Sequence, residues 1–123
     1  MSGEKEEDAV RAWVRLTGDG AAAELADLAG WLSREDEFRG RAAIERPPPR
    51  AGEMGALADV LVVALGAGGA GTALAASLSV WIRHRRPSAE IEVTGPDGRS
   101  VRITVRDVPE MDVEAVVRRA LER

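Results

Sequence analysis

Residues 12–17, AWVRLT, set Ala12, Val14 and Leu16 on one side and Trp13, Arg15 and Thr17 on the other. That period of two predicts a strand with one buried face. GDG at 18–20 breaks the alternation, and beyond it Leu25, Leu28 and Leu32 recur at spacings of three and four, with Trp31 bordering the stripe. This predicts a helix, with Asp19 as its cap and Glu35, Asp36 and Glu37 near its far end. In RAAIER, 41–46, Ala42 and Ile44 share one side of a short second strand. Pro47, Pro48 and Pro49 end it, because three prolines supply no backbone donors and hold the chain extended. A stiff connector is expected there rather than a docking ligand.

Further along, EIEVTGPDGRSVRITVR carries two alternating runs around GPDG. Proline presets φ at the second turn position and Gly98 can take the left-handed conformation that closes a bulged hairpin. The three-residue loop then pairs Val93 with Val101 and Ile91 with Ile103 on one face, and Glu92 with Arg102 on the other. The final segment, PEMDVEAVVRRALER, repeats Val113, Val116, Val117, Ala120 and Leu121 along one helical face. Acids come early in it and arginines late, as the helix dipole favours.

Between these parts runs ADVLVVALGAGGAGTALAASLSVWIRHRR, 58–86. Gly66, Gly68 and Gly71 satisfy G-x-G-x-x-G after an apolar run, with Glu90 downstream. A dinucleotide site would need that acid at the end of a parallel strand. Here Glu90 opens a strand that turns straight back through GPDG, and no Gly-Lys-Ser/Thr is present for a Walker loop. Alternatively, 60–82 is 23 residues without a charge and RHRR follows, the length of a membrane span. Each glycine inside a helix costs about 1 kcal/mol relative to alanine. The cluster is therefore expected to split the segment into helices at 55–65 and 70–85. Leu57, Val60, Leu61 and Leu65 form one contact face, and Leu74, Leu78, Trp81 and Ile82 the next.

The elements together predict an α+β two-layer sandwich of about four strands with helices on one face, in the order β-α-β-(α-α)-β-β-α. Residues 1–9 read as an acidic tail and 10–123 as one domain, with 55–86 its apolar, glycine-rich helical part.

Composition narrows the chemistry. The 123 residues contain no cysteine, no tyrosine and one histidine, and the net charge is −4. No disulfide framework or thiolate chemistry is available, and the acidic balance argues against nucleic acid as a partner. With no basic-apolar leader, a cytoplasmic setting is expected, membrane association being the alternative. His84 lies among Arg83, Arg85 and Arg86, where like charge disfavours a base or metal ligand. No nucleophile, base and orienting acid assemble, so no enzyme, cofactor or metal site is expected. The small-residue surface around Gly66, Gly68, Gly69 and Gly71, with Leu74, Leu78 and Trp81, is instead expected to serve self-association or partner contact. The arginines Arg83, Arg85 and Arg86 end it, offsetting the helix dipole.

The chain also resembles the effector-associated constant component family of actinobacterial conflict systems. The resemblance runs through VRLTGDGAAAELADLAGWLSREDEFRG, PPPRAGEMGALADVLVVALGAGGAGTALAASLSVWIRHRR and IEVTGPDGRSVRITV. It implies a non-enzymatic adaptor or regulator in a defence or programmed-death system. The partner it implies is an effector such as a caspase-like or trypsin-like protease or an NTPase, beside the copies of itself expected from the small-residue surface. The alternative is a membrane-associated or membrane-spanning sensor or pore subunit using 57–82.

Overall fold

The hairpin forms as its turn chemistry dictates. Gly98, at φ +88°, donates to the Gly95 carbonyl at 3.0 Å, and Gly95 donates to the Arg99 carbonyl at 2.8 Å. Strands β4 (Glu90–Thr94) and β5 (Ser100–Ile103) pair in the expected register, with Val93 opposite Val101, Ile91 opposite Ile103 and Glu92 opposite Arg102. The computed structural model describes residues 10–46, 59–66, 70–104, 106, 108–110 and 112–122. The expected acidic tail and the proline connector at 47–49 lie outside them.

Strand β1 (Arg11–Thr17) carries the predicted alternation, with Ala12, Val14 and Leu16 buried. Helix α1 (Ala21–Ser33) follows and buries Leu25, Leu28 and Leu32. Its cap is not Asp19 but Gly20, whose left-handed backbone at φ +75° brings its carbonyl to the Glu24 N–H at 3.0 Å. A side-chain cap requires extended backbone at that position, which GDG does not take. After α1 the chain turns through Phe38, a core side chain only 2% exposed amid charged neighbours. Strand β2 (Ala42–Glu45) then places Ile44 on the inner side at the sheet edge, 41% exposed.

The apolar run brings the main correction. Residues 60–64 are not helical but form strand β3 (Val60–Ala64), antiparallel to both β2 and β1. Residues 55–58 of the expected helix lie outside the described part. Helix α2 (Ala70–Arg85) has the predicted bounds, and no described helix is long and apolar enough to cross a membrane. A short 3-10 turn (Val108–Glu110) leads to helix α3 (Val113–Leu121), capped by Asp112 Oδ1 accepting from the Ala115 N–H at 3.1 Å.

The described residues form one antiparallel sheet of five strands, not four, in the order β2-β3-β1-β4-β5. Three α-helices among the described residues, rather than the four of the predicted order, share its covered side, because the first of the expected central pair is strand β3. Helix α1 contacts β1, β2 and β3, α3 contacts β4 and β5, and α2 touches both α1 and α3. Leu74, Leu78, Trp81 and Ile82 of α2 join Val14, Leu61, Val63, Ile91 and Val93 of the sheet in a single core. Each large apolar side chain so buried contributes roughly 1.5–3 kcal/mol.

Candidate functional site

Several residues expected to form a contact surface are used inside the fold. Leu74, Leu78 and Trp81 are buried in the core. Gly71 faces α3, where an added Cβ would lie 3.6 Å from Leu121 Cβ, so its smallness serves packing between helices of the same chain. Gly66 turns the chain out of β3 at φ +66°, close to the Arg41 guanidinium. Gly68 and Gly69 lie outside the described residues. A helix apolar on several sides has no surplus surface when neighbours flank it on two of them. The outward strip of α2 retains Thr72 and Val80, the latter 43% exposed, followed by exposed Arg83 and His84.

The basic end of α2 is partly neutralised. Arg85 Nε donates to Glu24 Oε1 at 2.7 Å and lies 3.8 Å from Asp27 Oδ2. The hydrogen bond to Glu24 raises the Arg85 pKa above its ordinary value, attraction by Asp27 and Glu24 adds to this, and desolvation works weakly against it. The neighbouring Trp81 Nε1 donates to the same Asp27 oxygen at 2.8 Å, while Trp31 Nε1 donates to Ser77 Oγ at 2.9 Å. Two indoles and one guanidinium thus join α1 to α2. Arg83 and Arg86 remain exposed, and Arg86 holds a left-handed backbone at φ +47°.

On the sheet face opposite the helices, strand register sets side chains in rows. One row reads Ala43, Val62, Trp13, Thr94 and Ser100 across all five strands. Its Thr94 and Ser100 hydroxyls are 2.7 Å apart. The adjacent row reads Glu45, Val60, Arg15, Glu92 and Arg102. There Glu92 meets Arg15 at 3.8 Å and Arg102 at 3.4 Å. Val60 and Val62 are only 5% and 8% exposed, whereas Ala43, Glu45, Arg15, Ser100 and Arg102 are exposed and Trp13 is half-buried. An apolar and hydroxyl row beside an ion-paired row offers shape and hydrogen bonding to a protein surface.

This face was not singled out by its sequence. The available signal was Trp13 itself, a large aromatic on the polar side of an alternating strand. Glu24 and Asp27 gave less, since acids on the outer side of a helix need no special partner. Among the described residues no three His, Cys, Asp or Glu side chains gather where they could hold a metal.

A family model described as Effector Associated Constant Component 1 matches residues 17–123, nearly the whole chain. No curated protein and no solved structure matches it.

Proposed function

The chain belongs to the Effector Associated Constant Component 1 family, a component of conflict systems, and on that premise we propose that it is a non-enzymatic adaptor that holds an effector protein. The contact uses the sheet face opposite the helices. The observation that carries this reading is the open part of that face, exposed Ala43 and Ser100 in one row with half-buried Trp13 and Thr94, with charged residues along one side. Tryptophan anchors of this kind dominate protein contacts because they bury much area with few rotatable bonds.

The non-enzymatic part rests on the inventory of side chains. The chain has no cysteine or tyrosine, and its one histidine is exposed at the end of α2. Self-association through the α2 surface has less support, because Leu74, Leu78 and Trp81 already serve the core. The spanning alternative has no helix to support it among the described residues.

The test is a binding titration of the full chain against candidate effectors of the expected kinds, a caspase-like protease, a trypsin-like protease and an NTPase. Trp13→Lys is compared with Val80→Lys on the helical side, and thermal melts confirm that both variants fold. Trp13→Lys should weaken the complex about tenfold or more, as loss of an interface anchor does, with Val80→Lys near wild type. The reverse pattern rejects the sheet face, and turnover of peptide or nucleoside triphosphate by the purified chain rejects the non-enzymatic reading.

A further inference from the structure

Strand β5 is the outer strand beyond β4, so one row of its N–H and C=O groups points away from the sheet. Helix α3 lies over the same two strands. Its close approach depends on Gly95, where a Cβ would overlap the Ala120 carbonyl. Between strand and helix an open groove of about 400 Å³ is lined by Arg99, Ser100, Val101, Val116, Arg119 and Ala120. Val101 and Val116 are half-buried and form an apolar floor, while Arg99 and Arg119 are exposed at the rim. On the opposite face of β5 stands Arg102, its side chain 70% exposed. No lining residue is acidic, in a chain whose net charge is −4.

We propose that this edge accepts an extended acidic segment of a partner protein as a sixth strand. Alternate side chains of an added strand point to opposite faces. One set therefore lies on Val101, Val116 and Ala120, and the other comes level with Arg102. Main-chain hydrogen bonds to β5 supply affinity, and Arg99 and Arg119 at the groove rim select carboxylates, whereas Arg102 is already held by Glu92 at 3.4 Å. A second copy adding edge to edge would offer only another β5, Ser100–Ile103, which brings an arginine and no carboxylate to the groove. Nucleic acid would gain from the arginines but leave the strand edge unpaired, with no aromatic platform in the groove for bases.

The probe is a fluorescein-labelled peptide of about eight residues, enough to span a typical strand, with valine and glutamate alternating. It is titrated into the full chain by polarisation, and its footprint is read from amide shifts by NMR. The expected result is saturable binding with shifts at Ser100, Val101, Arg102 and Ile103. Binding should be about tenfold weaker in the Arg99→Glu/Arg119→Glu variant, a loss equivalent to about 1.4 kcal/mol. A valine-lysine peptide serves as a control that needs no mutation, and circular dichroism verifies the variant's fold. Trp13→Lys should leave peptide binding unchanged, which separates this edge from the effector surface proposed above. Four results each overturn the proposal: equal binding of the lysine peptide, shifts confined to other surfaces, displacement of the peptide by a single-stranded oligonucleotide, or a β5-paired dimer in its place.

Discussion

The indole N–H of Trp81 donates to Asp27 Oδ2 at 2.8 Å, tying the middle helix of the layer to α1 across 54 positions of sequence. The residue is 2% exposed, so its ring packs in the core while its one polar atom reaches a partly exposed carboxylate. That geometry lets a tryptophan be buried without an unpaired donor.

Asp27→Leu removes the acceptor and leaves the indole N–H without its partner. Leaving such a donor unsatisfied costs about 1–3 kcal/mol. Unfolding in urea should therefore show a lower midpoint with an unchanged slope. Asp27→Asn keeps a carbonyl oxygen at the same place and should recover most of the loss. Equal losses in both variants would instead assign the effect to the carboxylate charge facing Arg85.

Two glycines should respond to alanine in opposite ways. At Gly95 a Cβ would overlap the Ala120 carbonyl and reach 3.0 Å from Leu121 Cα, so α3 must move away from the hairpin. Overpacking of this kind costs about 1–3 kcal/mol, and here the obstructing atoms are backbone, which cannot rotate aside. Gly30, inside α1, has nothing within 4 Å of an added Cβ. Gly30→Ala should stabilise the chain by about 0.5–1 kcal/mol through helix propensity. Thermal melts of both variants check the pair.

What could be read in advance follows from how local the determining physics is. The β4–β5 register was legible because the turn residues and two alternating runs lie within 17 positions and agree with one another. Strand β3 was misread for the opposite reason. Val60 and Val62 are buried on the face away from the helices as Leu61 and Val63 are beneath them, so the run VLVVA shows no alternation. A strand buried on both sides resembles a buried helix by periodicity alone; its β-branched residues and short length were the better guide. The burial of Leu74, Leu78 and Trp81 in the core was hidden by a related gap. The apolar sides of α2 looked surplus until α1 and α3 filled them, and that docking depends on contacts far apart in sequence. Phe38 belongs to the same class, since nothing in EDEFRGR says that the turn folds its one aromatic inward.

The end of α2 supplies the last prediction. Arg86 follows the final helical residue with φ +47° and donates its N–H to the Ile82 carbonyl at 2.9 Å, the position where helices commonly place glycine. A side chain with a Cβ is strained there by roughly 1–2 kcal/mol, part of which glycine gives back in unfolded-state entropy. Arg86→Gly should thus raise stability by about 0.5–1 kcal/mol, read as a higher melting temperature. Strained backbone persists where something other than stability retains it. Arg86 is exposed beside Arg83, so the same variant belongs in the effector titration. A gain in melting temperature with weaker effector binding would extend the contact surface from the sheet to the basic end of α2. A gain with unchanged binding would place Arg86 outside the effector contact.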